Sequence, residues 1–199
     1  MNTILQLNSS LFADGGQSTR LADEFVRSIP DAHTIRRDLA SDPVPHLDAE
    51  RFSAFITPID KRNSAQNQVV AYSDTLISEL KRADTIVLGL PMYNFGLPST
   101  LKAYFDHIAR AGVTFKYTEK GPVGLLTGKK AYVFATRGGY YAGKPSDTQT
   151  AYVRDFLAFL GITDVEFVYA EGLAIGEAVK TASLAKAREA LQQLVPAYA

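Results

Sequence analysis

Five short apolar runs alternate along the chain with segments of helical period. They are rich in branched and aromatic residues, do not alternate cleanly between apolar and polar positions, and cover residues 3–7, 34–38, 85–90, 131–136 and 164–170. Strands that are covered on both faces of a sheet have this pattern. The runs therefore predict a parallel sheet buried between helices.

Apolar residues between these runs recur at the spacing of an amphipathic helix. The clearest segment is 101–111, for which Gly112 is the expected stop. Similar faces predict helices in segments 21–29, 76–80, 153–160 and 184–194. Gly161 is expected to end the helix predicted in segment 153–160. Residues 41–68 are richer in Pro, Asp, Asn and Ser and predict an excursion after the second strand, with a weak helix near 48–55.

Strands that alternate with helices in this way indicate an α/β fold. Five strands suit a flavodoxin-like, doubly wound parallel sheet with the order 2-1-3-4-5 and helices on both faces. The sequence has no internal repeat or low-complexity tract, so we expect residues 1–199 to form a single domain.

The composition excludes several classes of protein. Lys plus Arg and Asp plus Glu both number 21, which gives a formal net charge of zero, whereas domains that bind nucleic acid non-specifically are basic. The absence of cysteine excludes disulfides, thiolate catalysis and cysteine metal ligands. The N-terminus lacks a secretory pattern, and no apolar run approaches the roughly 20 residues of a membrane-spanning helix. We therefore expect a cytoplasmic protein with no nucleic-acid or membrane partner.

The loop after the first run is rich in hydroxyl and glycine residues. In an open parallel sheet, ligands bind beyond the carboxyl ends of the strands. The donors available there are Ser9, Ser10, Gly15, Gly16, Gln17, Ser18 and Thr19. Free amides and hydroxyls at a helix N-terminus hold an anion, and without a P-loop lysine a single terminal phosphate is favoured over a triphosphate. The alternative is that Ser18 only caps the helix.

Two further loops at the same end of the sheet suit a flat ligand. The stretch 91–102, "PMYNFGLPSTLK", places large side chains in a turn, and 135–145, "ATRGGYYAGKP", contains a glycine pair that allows close backbone approach. A phosphate loop, an aromatic loop and a glycine-rich loop correspond to the three parts of FMN. The alternative for the aromatic residues is ordinary packing under a loop. The alternative for the glycine pair is a simple tight turn.

Three segments closely resemble the FMN-dependent NADH-azoreductases, also described as NADH:quinone oxidoreductases. The segments are 91–117, 127–139 and 159–172, and the likeness covers nearly the whole chain. This resemblance implies a flavodoxin-like fold, bound FMN, a homodimer, and reduction of quinones and azo compounds at the expense of NADH, with NADPH left open. Segments 41–68 and 140–149 fit the family pattern poorly, so acceptor preference stays open.

The resemblance also implies roles for individual residues. The phosphate segment comprises Ser10, Gly16, Gln17 and Ser18. The segment that cradles the flavin ring comprises Met92, Tyr93, Asn94 and Phe95. The segment at the polar edge of the ring comprises Thr136, Arg137, Gly138 and Gly139. Tyr117 and Phe159 match aromatic positions on the substrate side. Asn94 is expected near the redox-active edge and is therefore the catalytic candidate.

We expect NADH to deliver its hydride to the flavin and leave before the acceptor binds over the same ring, which is a ping-pong mechanism. Two alternatives stay open. A flavodoxin-type electron carrier is expected to be acidic, and the balanced charge argues against it. A flavin-free relative would bind some other phosphate through the same loops.

The remaining candidate residues bear on metal binding, ion pairing and dimer contact. The histidines are scattered, His107 has a surface or structural role, and no metal site is expected. Arg137 pairs with a carboxylate or a nicotinamide phosphate, or is a solvated loop residue. The apolar stripe of the helix 99–111 is wide, so part of it is expected to meet a partner. Tyr117 and Phe159 would then complete a shared site, unless both pack inside one chain.

Overall fold

Residues 2–195, which the computed structural model describes, contain a parallel sheet of five strands. Its strands are β1 Thr3–Asn8, β2 His33–Asp38, β3 Thr85–Pro91, β6 Lys130–Thr136 and β7 Asp164–Ala170. A separate antiparallel hairpin consists of β4 Phe115–Thr118 and β5 Gly121–Gly124. The sheet order is β2-β1-β3-β6-β7. This is the predicted doubly wound pattern, and the strand numbers differ because the sequence pattern did not reveal the hairpin.

Helices cover both faces of the sheet. They are α1 Gln17–Arg27, α2 Ala49–Ile56, α3 Ser64–Arg82, α4 Ser99–Ile108, α5 Thr148–Leu160 and α6 Glu177–Leu194. One core joins α1 and α6 to the sheet, and the other joins α3, α4 and α5 to the opposite face. Neighbouring residues of β3 alternate between them, since Val87 enters the first core and Leu88 the second.

Two predictions about α4 are wrong. The helix ends at Ile108, well before Gly112, because the Thr114 hydroxyl donates to the Ile108 carbonyl at 2.6 Å and the chain turns there. The wide apolar stripe is also satisfied within the chain, since Leu101, Tyr104, Phe105 and Ile108 are all at most 1% exposed. Ala109, the remaining residue of the predicted stripe, is partly exposed, so the stripe offers a partner almost no surface.

The excursion after β2 is more regular than predicted. Asp48 caps α2 by accepting from the Arg51 amide at 2.8 Å, which agrees with the expected weak helix. Residues 64–68 already belong to α3, which begins with a capping box between Asn63 and Gln66. Edge strand β2 is half-exposed rather than covered on both faces. Within residues 2–195, no helix is long and apolar enough to cross a bilayer.

Candidate cofactor site

The first turn of α1 lies directly beyond the end of β1. Gly16 is the N-cap, and it supplies no side-chain cap. Ser18 is the second residue of the helix, so the capping alternative is wrong. The hydroxyls of Ser18 and Thr19 are fully buried and have no hydrogen-bond partner among residues 2–195. Buried hydroxyls are almost always paired, so this turn has the donors that a bound anion would satisfy.

Ser10 and Gly16 fit tightly against each other across this loop. Ser10 is buried, and its Oγ accepts from the Phe12 amide at 3.2 Å. A Cβ built on Gly16 would lie only 2.1 Å from that oxygen, so no larger residue fits. Gln17 follows as the first helical residue, and its amide is one of the donors that a helix leaves free at its N-terminus.

The aromatic turn is a two-residue hairpin at the end of β3. Tyr93 and Gly96 exchange backbone hydrogen bonds of 3.1 and 2.9 Å, and Met92 donates to the Thr136 carbonyl at 2.9 Å. Asn94 and Phe95 have φ of 49° and 65°, in the left-handed region. This region costs roughly 1–2 kcal/mol for a residue such as Phe. Both side chains are exposed at the tip.

The aromatic turn contacts the phosphate loop directly. The Tyr93 hydroxyl accepts from the Leu11 amide at 3.2 Å and lies 3.4 Å from the Ser10 Oγ. The structure therefore brings the phosphate loop and the aromatic turn together at the carboxyl ends of β1 and β3, and the bond from Met92 to Thr136 joins the third predicted segment to them.

The glycine-rich loop follows β6 and is held by the loop after β7. The carbonyls of Arg137, Gly138 and Gly139 accept from Leu173, Ala174 and Gly172 at 3.0–3.1 Å. Within the part of the chain that is described, the amides of Gly138 and Gly139 donate to no protein acceptor. These amides are suitable donors for the polar edge of a flat ring.

Arg137 is buried and pairs with two carboxylates of its own chain. Its guanidinium is buried, donates to both carboxylate oxygens of Asp147 at 2.9 Å and to Glu171 at 3.2 Å, and lies 4.9 Å from the Tyr169 ring centre. Burial by itself would raise the pKa of Asp147, but hydrogen bonds from Arg137 and Thr150 outweigh it and lower that pKa. The carboxylate-pairing prediction is confirmed, and the solvated and nicotinamide-phosphate alternatives are wrong for this side chain.

Tyr117 and Phe159 meet through a third ring. Phe115 lies 5.4 Å from Tyr117 and 4.3 Å from Phe159 between ring centres. Tyr117 is 74% exposed on the hairpin, whereas Phe159 is partly buried against Phe115. Within residues 2–195, no hydrogen bond or ring contact joins this pair to the three loops, so their place on the substrate side stays a prediction.

His107 is buried rather than on the surface. Its Nδ1 lies 3.0 Å from the Ala103 carbonyl, and the rings of Phe55 and Tyr72 approach it edge-on. Burial lowers the pKa of His107 below its usual 6.5. A structural role is therefore correct for this residue. The described residues hold no cluster of three His, Asp or Glu side chains suited to a metal ion.

Sequence reasoning missed the residues that support the aromatic turn. Gln149 is 1% exposed, and its Nε2 donates to the carbonyls of Pro91 at 2.9 Å and Gly96 at 3.2 Å. It lies in segment 140–149, where the resemblance was weak. The one available signal was Asp147 followed by Thr150, a helix-capping pattern that would have placed the start of α5.

The sheet order and the ligand loops at the carboxyl ends of its strands define a flavodoxin-like protein. The profile of the family described as "Flavodoxin-like fold" matches residues 2–195. The chain is 55% identical over 201 residues to the FMN-dependent NADH:quinone oxidoreductase of Cellvibrio japonicus, covering 99% of this chain and 100% of that protein. It is 56% identical over 195 residues to FMN-dependent NADH:quinone oxidoreductase 6 of Burkholderia lata, covering 96% and 98%.

A solved structure of an FMN-dependent enzyme is also similar to this chain. The FMN-dependent NADH-azoreductase of Bacillus anthracis in complex with FMN superposes with a TM-score of 0.86 at 30% identity, covering 98% of this chain and 100% of that one. The resemblance found in the sequence is confirmed: the chain belongs to the family of FMN-dependent NADH:quinone oxidoreductases and NADH-azoreductases.

Proposed function

We propose that this chain is an FMN-dependent oxidoreductase that uses NADH to reduce quinones and azo compounds. The names of its relatives support this activity. The observation that carries it is the first turn of α1, where the hydroxyls of Ser18 and Thr19 are buried and unpaired among the described residues. When bound, FMN supplies two-electron chemistry between a nicotinamide donor and an organic acceptor.

The phosphate segment fits FMN without a cationic side chain. Two arginines lie near this loop, but Arg20 donates to the Asp14 carbonyl and Arg36 pairs with the Asp14 carboxylate. Ser10, the hydroxyls of Ser18 and Thr19, the free amides of the first turn and the dipole of α1 are then the groups that would hold a phosphate.

The ring segments fit a flat heterocycle. The free amides of Gly138 and Gly139 would donate to ring carbonyls, and the exposed tip of the aromatic turn would cover one ring face. Asn94 is placed at that tip, and we assign it the position nearest the reacting edge of the ring. Tyr117 and Phe159 remain our proposal for the side on which acceptors bind.

We further propose a homodimer, through a different surface from the one that the sequence suggested. Phe52 and Ile56 lie on one face of α2, and Ile59 lies in the short turn that follows; they are 51%, 67% and 78% exposed. Exposed apolar side chains that lie close together on a surface are typical of an interaction site. A two-fold axis through it would bury the same residues on both copies.

The experiment that tests the proposed activity compares two flavins. The purified chain should be yellow, should release its flavin on denaturation, and should bind FMN far more tightly than riboflavin, which lacks the phosphate. Failure to take up FMN would refute the proposal. FMN uptake without NADH oxidation would instead favour the flavodoxin-type carrier.

A further inference from the structure

The backbone of the aromatic turn is held in an unfavourable conformation. Asn94 and Phe95 both have positive φ, which an aromatic residue rarely adopts. The turn closes on itself only through the two backbone bonds between Tyr93 and Gly96. Strained turns persist where the surrounding structure fixes them, so the source of the additional support matters.

Side chains from the first turn of α5 bind the backbone carbonyls at both ends of the aromatic turn. The Nε2 of Gln149 donates both to Pro91, the last residue of β3, and to Gly96, the last residue of the turn. The Thr148 hydroxyl donates to the Phe95 carbonyl. Because both partners of Gln149 are carbonyl oxygens, only the NH₂ end of the amide fits there. One buried side chain thus joins the strand to the far end of the turn.

The same helical turn is attached to the glycine-rich loop. Asp147 caps α5 by accepting from the Thr150 amide at 3.0 Å, and it also binds both terminal nitrogens of Arg137. The backbone of Arg137 donates to Ala170 at 2.9 Å, which fixes the loop against β7. Residues 147–149 therefore contact both segments proposed to hold the ring.

We propose that the first turn of α5 is a clamp that sets the aromatic turn relative to the glycine-rich loop, with Gln149 as its positioning residue. The inference rests on the proposed function to the extent that the flavin ring lies between these two segments. Without the Gln149 donors the turn would relax toward unstrained conformations. FMN affinity then falls in proportion to the population that keeps the binding conformation.

The test compares Gln149→Met, which keeps the length of the side chain but removes its donors, with Val153→Ala, which opens a cavity in the core below the same helix. Hydrogen–deuterium exchange of the protein without flavin is followed at residues 93–96, and FMN binding is titrated separately. We expect Gln149→Met to speed exchange in that turn and to weaken FMN about tenfold. Val153→Ala should lower the unfolding temperature while leaving both quantities unchanged.

Unchanged exchange and unchanged FMN affinity in Gln149→Met would overturn the clamp, as would equal effects in Val153→Ala. Should Gln149→Met fail to fold, Thr148→Val at an exposed position removes one clamp bond, and exchange in residues 93–96 should still rise. No rise in that variant would refute the clamp. A wild-type protein that takes up no FMN would refute the proposed function, and the exchange comparison would still decide the clamp.

Discussion

Ser18 and Thr19 bury their hydroxyl groups in a helix turn that already leaves its own amides free. A buried hydroxyl without a partner destabilises a protein because it has lost its hydrogen bonds to water. The same hydroxyl becomes favourable when an anion accepts from it, and a hydrogen bond to a charged group is stronger than one between neutral groups. At the scale of single residues, these hydroxyls therefore destabilise the free protein and strengthen the binding of an anion.

Ser18→Ala should act in opposite directions on the two properties. FMN binding should weaken by about 1–2 kcal/mol, or roughly 5- to 30-fold, because a donor to the phosphate is lost. The unfolding temperature without flavin should stay level or rise, because an unpaired hydroxyl is removed from a buried site. Ser78→Ala, at an exposed position of α3, is the control for both measurements. A parallel loss of stability and affinity would show that Ser18 only supports the fold.

Asn94 can be tested with a pair of variants that separate its side chain from its backbone. Gly tolerates the positive φ of 49° but lacks the amide, whereas Ala lacks the amide and also strains the turn. If the side chain acts at the reacting edge, Asn94→Gly and Asn94→Ala should both slow flavin reduction by NADH more than they weaken FMN binding. Stopped-flow absorbance measures the first and titration the second. Wild-type reduction rates in Asn94→Gly would remove the side chain from the mechanism.

At the scale of elements, α4 is held to its neighbours around a buried histidine. The His107 ring lies 5.9 Å from that of Phe55 on α2 and 6.0 Å from that of Tyr72 on α3. Burial keeps the folded-state pKa of His107 below 6.5, so the unfolded chain binds a proton more readily than the folded one. This group therefore lowers stability as the pH falls from about 6.5 through the folded-state pKa, and it has no effect above that window.

His107→Phe should reduce this acid sensitivity, because it keeps an aromatic ring but cannot be protonated. Urea unfolding at pH 7.5 and pH 5 measures the free energy of unfolding, and the loss between the two should be smaller in the variant than in the wild type. His46→Gln, at an exposed position, is the control for replacing a histidine. Equal pH dependence in His107→Phe and the wild type would contradict the assignment.

The elements that could be predicted were those with a strong local signal. All five strands of the sheet were found. The inner strands β1, β3 and β6 are buried and form nearly continuous apolar runs, whereas the edge strands β2 and β7 are partly exposed. Gly161 ends α5 in a left-handed conformation as expected, whereas Gly112 lies past the end of α4, which a side-chain bond from Thr114 had already terminated. The hairpin was missed because β5, "GPVG", has two glycines and a proline and is stabilised by pairing with β4.

The candidate site also has a part that could be predicted from the sequence and a part that could not. The phosphate, aromatic and glycine-rich segments could be placed because the end of a parallel strand fixes where its loop lies. The partners of Arg137 and the role of Gln149 could not be read from the sequence, because each depends on residues that are distant along the chain. Arg137 binds Glu171, and Gln149 binds Pro91. Burial and partners of this kind follow from tertiary packing and have no periodic pattern.

At the scale of the whole molecule, the proposed dimer predicts that charged substitutions on two different surfaces have different effects on the oligomeric state. Ile59→Glu should convert the dimer to a monomer, because it places a charge at the most exposed residue of the apolar surface. Ala185→Glu, at an exposed position of α6 on the opposite side of the sheet, should remain dimeric. Sedimentation velocity gives the oligomeric state, and quinone reduction is measured on the same samples.

Loss of activity together with the dimer would support a site that both copies complete. A fully active Ile59→Glu monomer would refute the shared site, although the flavin assignment would survive. Phe159→Glu is a poorer test than Ile59→Glu, because Phe159 packs against Phe115 within its own chain and its loss would disturb the fold.

The most direct test of the central claim separates the two half-reactions. FMN-loaded protein is mixed without oxygen with one equivalent of NADH, freed of nicotinamide by gel filtration, and then mixed with a quinone. We predict that NADH abolishes the visible flavin absorbance, that the quinone restores it in the absence of nicotinamide, and that steady-state double-reciprocal plots are parallel. Flavin absorbance that NADH does not change, or that the quinone restores only while nicotinamide is present, would contradict the account.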